Sequence, residues 1–296
     1  MSELPRRRMG HTGMRPRALG MGAAFVSHVE EAETIATIER ALDLGIDYFD
    51  SYAGRNEERW GRALIGVERS SYYMQAKVGP HHERPKDFSA EATRWSVEQS
   101  LRALRVDYLD AVLVHDPADI ADPLGPGRAF DELQRMKGEG LVRHLGLGVR
   151  QHDFHRAAIE AGHAEIVLTF LDYTLLDQSV AGTTMALARE QGTGLILASV
   201  FGMGRLTGVE PDRAAEPRAH AMWEWCRERD VDIKHLAMQF CLDAPVDGIV
   251  MSGPADRHQL QDAYDAATRE VPAEIWAAFE ERFGVGISGS RGAEAE

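Results

Sequence analysis

Tyr72-Tyr73-Met74-Gln75-Ala76-Lys77-Val78 and Leu109-Asp110-Ala111-Val112-Leu113-Val114-His115 decide how this chain folds. Each is a short, nearly continuous apolar run, the pattern of a strand buried on both faces of a parallel sheet. Between them, Ala90–Leu104 carries apolar residues at three- and four-residue spacing, the pattern of an amphipathic helix. Ser89 stands where that helix needs an N-cap. Strand, helix and strand make one βαβ unit.

The alternation repeats in both directions. Apolar runs fall at Ala18–Phe25, Tyr48–Tyr52, Tyr72–Val78, Leu109–His115, His144–Val149, Ile166–Phe170, Gly194–Val200 and Gly248–Ser252. Helical segments fall at Glu31–Leu44, Glu57–Ile65, Ala90–Leu104, Arg128–Gly140, Asp153–Ala161, Thr184–Gln191, Asp232–Leu242 and Arg257–Ala267. Gly45, Gly140 and Gly162 sit at or just past helix ends, where a left-handed residue is needed. Eight strands alternating with eight helices predict an α/β chain closed as a (β/α)₈ TIM barrel, one domain over 1–284, rather than a doubly wound open sheet. Arg7–Arg17 alternates about Thr12-Gly13 and reads as an N-terminal hairpin placed to plug the barrel's bottom. Ala219–Arg229 and Pro272–Phe283 read as extra helices. Residues 285–296 are rich in Gly, Ser, Ala and Glu and read as a flexible tail.

Charge narrows the partners. The 296 residues hold 33 Lys+Arg against 47 Asp+Glu, a formal charge of −14. That argues against nucleic acid and against an anionic membrane surface. Cys226 and Cys241 are too few for a disulfide framework, so a reduced, cytoplasmic setting is expected. No run of 18 apolar residues predicts a membrane span, and the N-terminus lacks the apolar core of a signal peptide. A monomer or small homo-oligomer acting on a small molecule is the expectation.

Active sites of such barrels form at the C-terminal ends of the strands. Three consecutive strands end in ionisable residues: Asp50, Lys77 and His115. Lysine is scarce here, with four in the chain, and one at the end of an apolar strand must be paired or functional. Asp50 is its natural partner. A structural ion pair and a satisfied core histidine are the plain alternatives; three such residues on neighbouring strands favour chemistry. Gly202-Met203-Gly204-Arg205 is a glycine-rich turn after strand seven, where barrels bind phosphate, and Arg205 is placed to grip a pyrophosphate; a surface turn is the alternative. His81-His82-Glu83 suggests metal ligands, but adjacent histidines are expected to point apart and no third ligand is evident, so no metal is expected. His28, Trp223 and Trp225 are candidates to line or cover the pocket.

On these residues the chain resembles the aldo-keto reductases. The resemblance runs through Arg8–Gly13, Asp43–Asp50, Glu57–Leu64, Lys77–Gly79, Leu113–Pro117, Thr207-Gly208 and Ser252-Gly253. Tyr108–Asp119 and Asp172–Gln178 look most like the sugar-type aldose (threo-aldose, fucose) dehydrogenase branch. The resemblance implies hydride transfer between a nicotinamide and an aldehyde, ketone or aldose. It also implies a catalytic tetrad, onto which Asp50, Lys77 and His115 carry over directly. The family's tyrosine acid lies in an Asp-Thr-Ala-x-x-Tyr-Gly pattern, whereas this chain reads Asp50-Ser51-Tyr52-Ala53-Gly54. The loop is shortened and Tyr52 is the only candidate; if it continues the strand it shares Asp50's side of the pleat.

The cofactor positions also depart from the family. Arg150-Gln151 stand for its Ser-Asn pair, and Phe170 for the glutamine that grips the carboxamide. Tyr173 fits the aromatic that stacks on nicotinamide. Gly253-Pro254-Ala255-Asp256 replaces a Gly-x-Arg-Ser pattern, leaving Arg257 as the substitute partner of a 2′-phosphate. Gln151, Tyr173, Gly202, Gly204, Arg205, Ser252, Gly253 and Arg257 are thus the candidate cofactor contacts, with NADP(H) expected and NAD(H) the alternative. The altered tyrosine loop leaves a second expectation, a redox-neutral lyase or isomerase of a sugar-like substrate using Lys77 and His115. A silent nucleotide-holding subunit is a third, against which three retained tetrad residues argue.

Overall fold

The computed structural model describes residues 3–287. Strands β1 (Leu19–Gly22), β2 (Tyr48–Asp50), β3 (Tyr73–Val78), β4 (Leu109–His115), β5 (Val142–Gly148), β6 (Ile166–Phe170), β7 (Gly194–Ala198) and β8 (Gly248–Ser252) pair in parallel, in sequence order. β8 pairs back onto β1, so the sheet closes as a barrel. Around it run α1 (Glu31–Asp43), α2 (Glu57–Ala63), α3 (Ala90–Leu104), the single turn α4 (Ala121–Leu124), α5 (Ala129–Gly138), α6 (His152–Glu160), α7 (Ala186–Gln191), α8 (Pro217–Glu228), α9 (Ile233–Leu242), α10 (Arg257–Thr268) and α11 (Ala273–Phe283). Ser89 caps α3, accepting from the Ala92 amide at 3.2 Å. The chain turns left-handed at Gly45, Gly140 and Gly162.

Strand residues alternate between two cores. Phe49, Met74, Ala76, Val112, Val114, Leu145, Leu147, Val167 and Leu197 point outward and meet the helices. Tyr48, Ala111, Leu113, Ile166, Leu168, Ile196, Ile249 and Met251 point inward and fill the barrel. The interior is narrow, so several inward positions carry no side chain. Gly146 is one: a Cβ there would stand 2.3 Å from Ile166 O and 2.4 Å from Leu113 Cδ2.

The N-terminal segment closes the bottom. Met9 and Met14 join the inner core, and the Met9 amide donates to Met14 O at 3.1 Å. It is a looser device than the expected hairpin. One antiparallel bridge, Arg6 to Arg17, and a 3₁₀ turn over Gly10–Thr12 replace two regular strands. Pro5 and Pro16 offer no amide hydrogen, so a longer ladder cannot form. Gly10, at φ 52°, lies so close to β7 that a Cβ would meet Gly194 N at 2.3 Å.

Other differences are local. β1 stops at Gly22 because the Ala23 amide bonds to Asp50 O at 2.9 Å and the chain then winds into a 3₁₀ turn, Val26–His28. A π-helical turn, Ala181–Met185, precedes α7. α8 and α11 are the two extra helices, joined by Trp225 edge-on to Phe279 at 5.3 Å. Of the tail, residues 288–296 lie outside the described residues. Among the described residues, no helix is long and apolar enough to cross a membrane.

Gly146→Ala should destabilise the barrel by about 3 kcal/mol, because neither the Ile166 carbonyl nor the packed Leu113 can move aside. Chemical denaturation measures this; an unchanged midpoint would contradict the packing described.

Candidate active site

Asp50 and His115 end β2 and β4, and Lys77 is the last but one residue of β3; all three are on the inward parity and so enter the barrel mouth. Lys77 Nζ donates to both carboxylate oxygens of Asp50, and to Ser51 O at 3.1 Å. Gln75 Nε2 adds a further donor to Asp50 Oδ1 at 2.7 Å, and the Tyr48 hydroxyl donates to Gln75 Oε1 at 2.8 Å. Gly148, across the ladder from His115, leaves room for its ring; a Cβ there would be 3.2 Å from His115 Cδ2.

Tyr52 arrives by another route than the one expected. β2 ends at Asp50, so Tyr52 is not part of the pleat. Its loop is anchored by Ser51, whose amide donates to Gln75 O at 2.8 Å and whose hydroxyl donates to Glu57 Oε1 at 2.8 Å. Glu57 is buried, and Ser100 Oγ donates to its other oxygen at 3.0 Å. That clip sets Tyr52 edge-on to His115, with ring centroids 5.4 Å apart. Lys77 Nζ lies 5.2 Å from the Tyr52 centroid, and the Arg55 guanidinium 4.3 Å from it. The shortened loop therefore still brings all four candidate catalytic residues together. Among the described residues the Tyr52 hydroxyl has no hydrogen-bond partner, which leaves it free for a substrate oxygen.

Electrostatics assigns protonation states. Burial, with the charges of Lys77, Lys86 and Arg55, pushes His115 down to about 3, so its imidazole is neutral at physiological pH. Burial also raises the Tyr52 phenol, opposed by Arg55 and reinforced by Asp116 and Asp50. Asp116 Oδ2 lies 3.3 Å from His115 Nδ1.

The candidate cofactor residues lie at or beyond the C-terminal ends of β5, β6, β7 and β8 and differ in their freedom. Gly202 and Gly204 turn left-handed after β7, but Arg205 folds back on its own turn, Nε donating to Gly202 O at 2.7 Å. Ser252 ends β8 and Gly253 follows it. Gln151 precedes α6, its Oε1 accepting from the Arg150 amide at 3.2 Å. One face of Tyr173 is covered by Phe240, stacked at 4.8 Å. Asp256 caps α10 by accepting from the Gln259 amide at 2.8 Å. Arg257 is clamped by Glu33, which takes Nε at 3.0 Å, Nη2 at 3.0 Å and the backbone amide at 3.1 Å.

His81 and His82 do not point apart. Their rings stack at 4.7 Å and 17°, and the Glu83 carboxylate completes a group whose ligand atoms lie within 4.8 Å of one another. The cause is a tight turn in which His81 Nδ1 accepts from the Glu83 amide at 3.2 Å and the His81 ring abuts Trp95. His28 is exposed and Trp223 lines a separate cavity of about 460 Å³ beside Thr207 and Lys234, whose lining includes none of the four candidate catalytic residues. Gln75, Tyr48, Arg55 and Glu57 were not singled out from sequence. Gln75 had a signal: a polar residue in an apolar strand, two before Lys77 and so on its face.

The comparisons with known proteins agree with this geometry. The model of the "Aldo/keto reductase family" matches residues 18–282. The chain belongs to the aldo/keto reductase family. It is 29% identical to a D-threo-aldose 1-dehydrogenase of Pseudomonas sp., over 90% of this chain and 93% of that one. It is 29% identical to an L-galactose dehydrogenase of Arabidopsis thaliana, over 90% and 89%. An aldo-keto reductase of Bacillus halodurans shares the fold, at a TM-score of 0.79 with 22% identity, covering 97% of this chain and 99% of that one. As an aldo/keto reductase it is an NAD(P)-dependent oxidoreductase of carbonyl or sugar substrates, and nothing in these comparisons supports the redox-neutral alternative.

A histidine held neutral by the fold binds its proton more readily when unfolded. Stability from His115, and from buried His155 pushed down to about 4, is present above the ordinary histidine range and lost as pH falls below it. The unfolding midpoint should therefore drop between about pH 6.5 and 4, and His115→Gln should flatten that slope. A slope identical in wild type and variant would contradict the assignment.

Proposed function

We propose that the protein is an aldose dehydrogenase: it oxidises the anomeric carbon of an aldose to the lactone, reducing NAD⁺, with Tyr52 as the proton-transferring residue. The observation that carries this is the convergence of Tyr52, Lys77, Asp50 and His115 at the barrel mouth. The names of the D-threo-aldose and L-galactose dehydrogenase relatives support the sugar class. The nicotinamide, when bound, supplies the hydride chemistry.

The chain's residues do the rest. In carbonyl reduction the Tyr52 phenol gives its proton to the substrate oxygen; in oxidation that proton first passes to solvent, and the Tyr52 phenolate takes the proton of the anomeric hydroxyl as hydride leaves that carbon. Burial holds the phenol's proton on, Arg55 eases its release, and Asp116 and Asp50 oppose it, while Lys77 Nζ stands 5.2 Å from the ring centroid. Neutral His115 offers the substrate oxygen a hydrogen bond without adding charge. The backbone of Gly202–Gly204, Ser252 and Gly253 fits a dinucleotide, as an open, glycine-lined edge.

The 2′-phosphate of NADP(H) fits less well than expected. Glu33 already occupies the amide and guanidinium of Arg257 as an internal anion, and a phosphate would have to displace it. This supports NAD(H) over the NADP(H) expected from the family.

Titration with NADH and NADPH, followed by tryptophan fluorescence, tests the cofactor; NADH should bind more tightly, and Glu33→Gln should narrow the gap roughly tenfold. Tighter NADPH binding by the wild type would overturn the NAD(H) reading. Turnover of L-galactose and other aldoses, followed as NADH appears, tests the reaction. Tyr52→Phe should cut kcat by roughly 10²- to 10⁴-fold with NADH binding intact. Failure to bind either nucleotide at millimolar concentration, or full activity of that variant, would sink the proposal.

A further inference from the structure

We infer that Gln75 and Tyr48, neither of which touches the reacting atoms, are positioning residues that hold the Asp50 carboxylate in the one orientation that fastens Lys77 beneath Tyr52. The inference rests on the catalytic reading of Asp50 and Lys77 given above.

The four residues form one buried chain. Tyr48 and Gln75 are 0% exposed, Lys77 4% and Asp50 6%. The order is Tyr48 Oη to Gln75 Oε1 at 2.8 Å, Gln75 Nε2 to Asp50 Oδ1 at 2.7 Å, and Lys77 Nζ to both Asp50 oxygens. Asp50 and Gln75 are register partners across β2 and β3, so the contact is built into the ladder.

Each link constrains the next. A glutamine amide can present either its NH₂ or its oxygen to a neighbour, and the two ends have nearly the same shape. Presenting the oxygen would set an acceptor against the Asp50 carboxylate. The acceptor-only carboxylate takes the NH₂, which turns the Gln75 oxygen to the Tyr48 hydroxyl, and the hydroxyl's donation there holds it. Burial and the charges of Asp50 and Asp110 hold the Tyr48 phenol well above its ordinary range, so it remains a donor at every working pH. Without Gln75, Oδ1 would lose its only neutral donor among the described residues and the carboxylate could swing about its last bond, carrying the ammonium with it. The inner core around this amide and phenol is otherwise mostly hydrocarbon and thioether, from Ala111, Leu113 and Met251, with the Tyr73 ring 6.1 Å from that of Tyr48. A displacement of about 1 Å at a catalytic group costs on the order of 10²-fold in rate, so orientation at Asp50 reaches the chemistry.

The test uses the full chain with Tyr48→Phe, Gln75→Met and the double variant. Tyr48→Phe keeps ring and shape, so it folds even if Gln75→Met does not. The first readout needs no substrate. With ¹⁵N-lysine labelling the spectrum holds four side-chain signals, and Lys77 is the one buried ammonium among them. Its Nζ–H signal, sharp in the wild type because its hydrogens are bonded, should broaden through faster exchange with water in both variants. The second readout is kinetic, with L-galactose or whichever aldose the wild type oxidises fastest. kcat should fall roughly tenfold in Gln75→Met and several-fold in Tyr48→Phe, with the Kd for NADH unchanged. The double variant should be no slower than Gln75→Met, because Tyr48 acts only through Gln75. A merely structural pair would instead give additive losses, lower thermal midpoints and an unchanged Lys77 signal, and that result would overturn the inference. If no aldose is oxidised but the Lys77 signal responds as described, the positioning role stands and the functional reading fails.

Discussion

A buried ammonium is the constraint around which the mouth of this barrel is arranged. Lys77 Nζ sits in a site of 4% exposure, where an uncompensated charge is prohibitively unfavourable. Asp50 supplies the countercharge, but a carboxylate has more acceptor capacity than one ammonium fills. Gln75 takes part of the remainder, the Ser51 carbonyl receives the ammonium's further hydrogen, and Tyr48 fixes Gln75. Removing any one partner leaves a desolvated polar group behind, which is why such networks specify one arrangement so strongly. The same ion pair then sets the field for its neighbours. Lys77 helps keep His115 neutral, while its attraction to Asp50 leaves Arg55 as the cation that acts on the Tyr52 phenol.

Strand parity explains how much of this was legible in the sequence. Once β2, β3 and β4 are recognised as buried strands, period two puts Tyr48 with Asp50, Gln75 with Lys77, and Leu113 with His115 on the inward face. Asp50, Lys77 and His115 could be named for that reason, and so could the barrel, from eight repeats of one local pattern. The position of Tyr52 could not be read the same way. It depends on Ser51 reaching Glu57 and on Glu57 reaching Ser100, a contact across 43 residues that no local spacing encodes. The N-terminal hairpin is held by one bridge instead of a regular ladder for a reason in plain view: Pro5 and Pro16 remove the amides a ladder needs. The stacked pair His81 and His82 reverses a rule that holds in a strand but not in a turn, where successive side chains can lie side by side.

The cofactor edge of the site follows the logic of the catalytic edge with the signs exchanged. At the catalytic edge a cation is buried and the fold supplies an anion. At the N-terminus of α10 the Arg257 guanidinium is a cation and its amide a donor without a helical partner, and Glu33, 224 residues away in the chain, meets both. Arginine and a backbone amide presented together recognise phosphate and carboxylate alike, since both offer paired oxygens at similar spacing. A protein that must hold a 2′-phosphate keeps such a site open. One that must hold a ribose hydroxyl gains by closing it, because a carboxylate there repels phosphate and can accept a hydrogen bond from a hydroxyl. Glu33 belongs to α1 and Arg257 to α10, neighbouring helices on the barrel's outer layer, so their pairing also ties the last βα unit to the first. Strand pairing closes the barrel, and this ion pair adds one tie between the first and last helices of its outer layer.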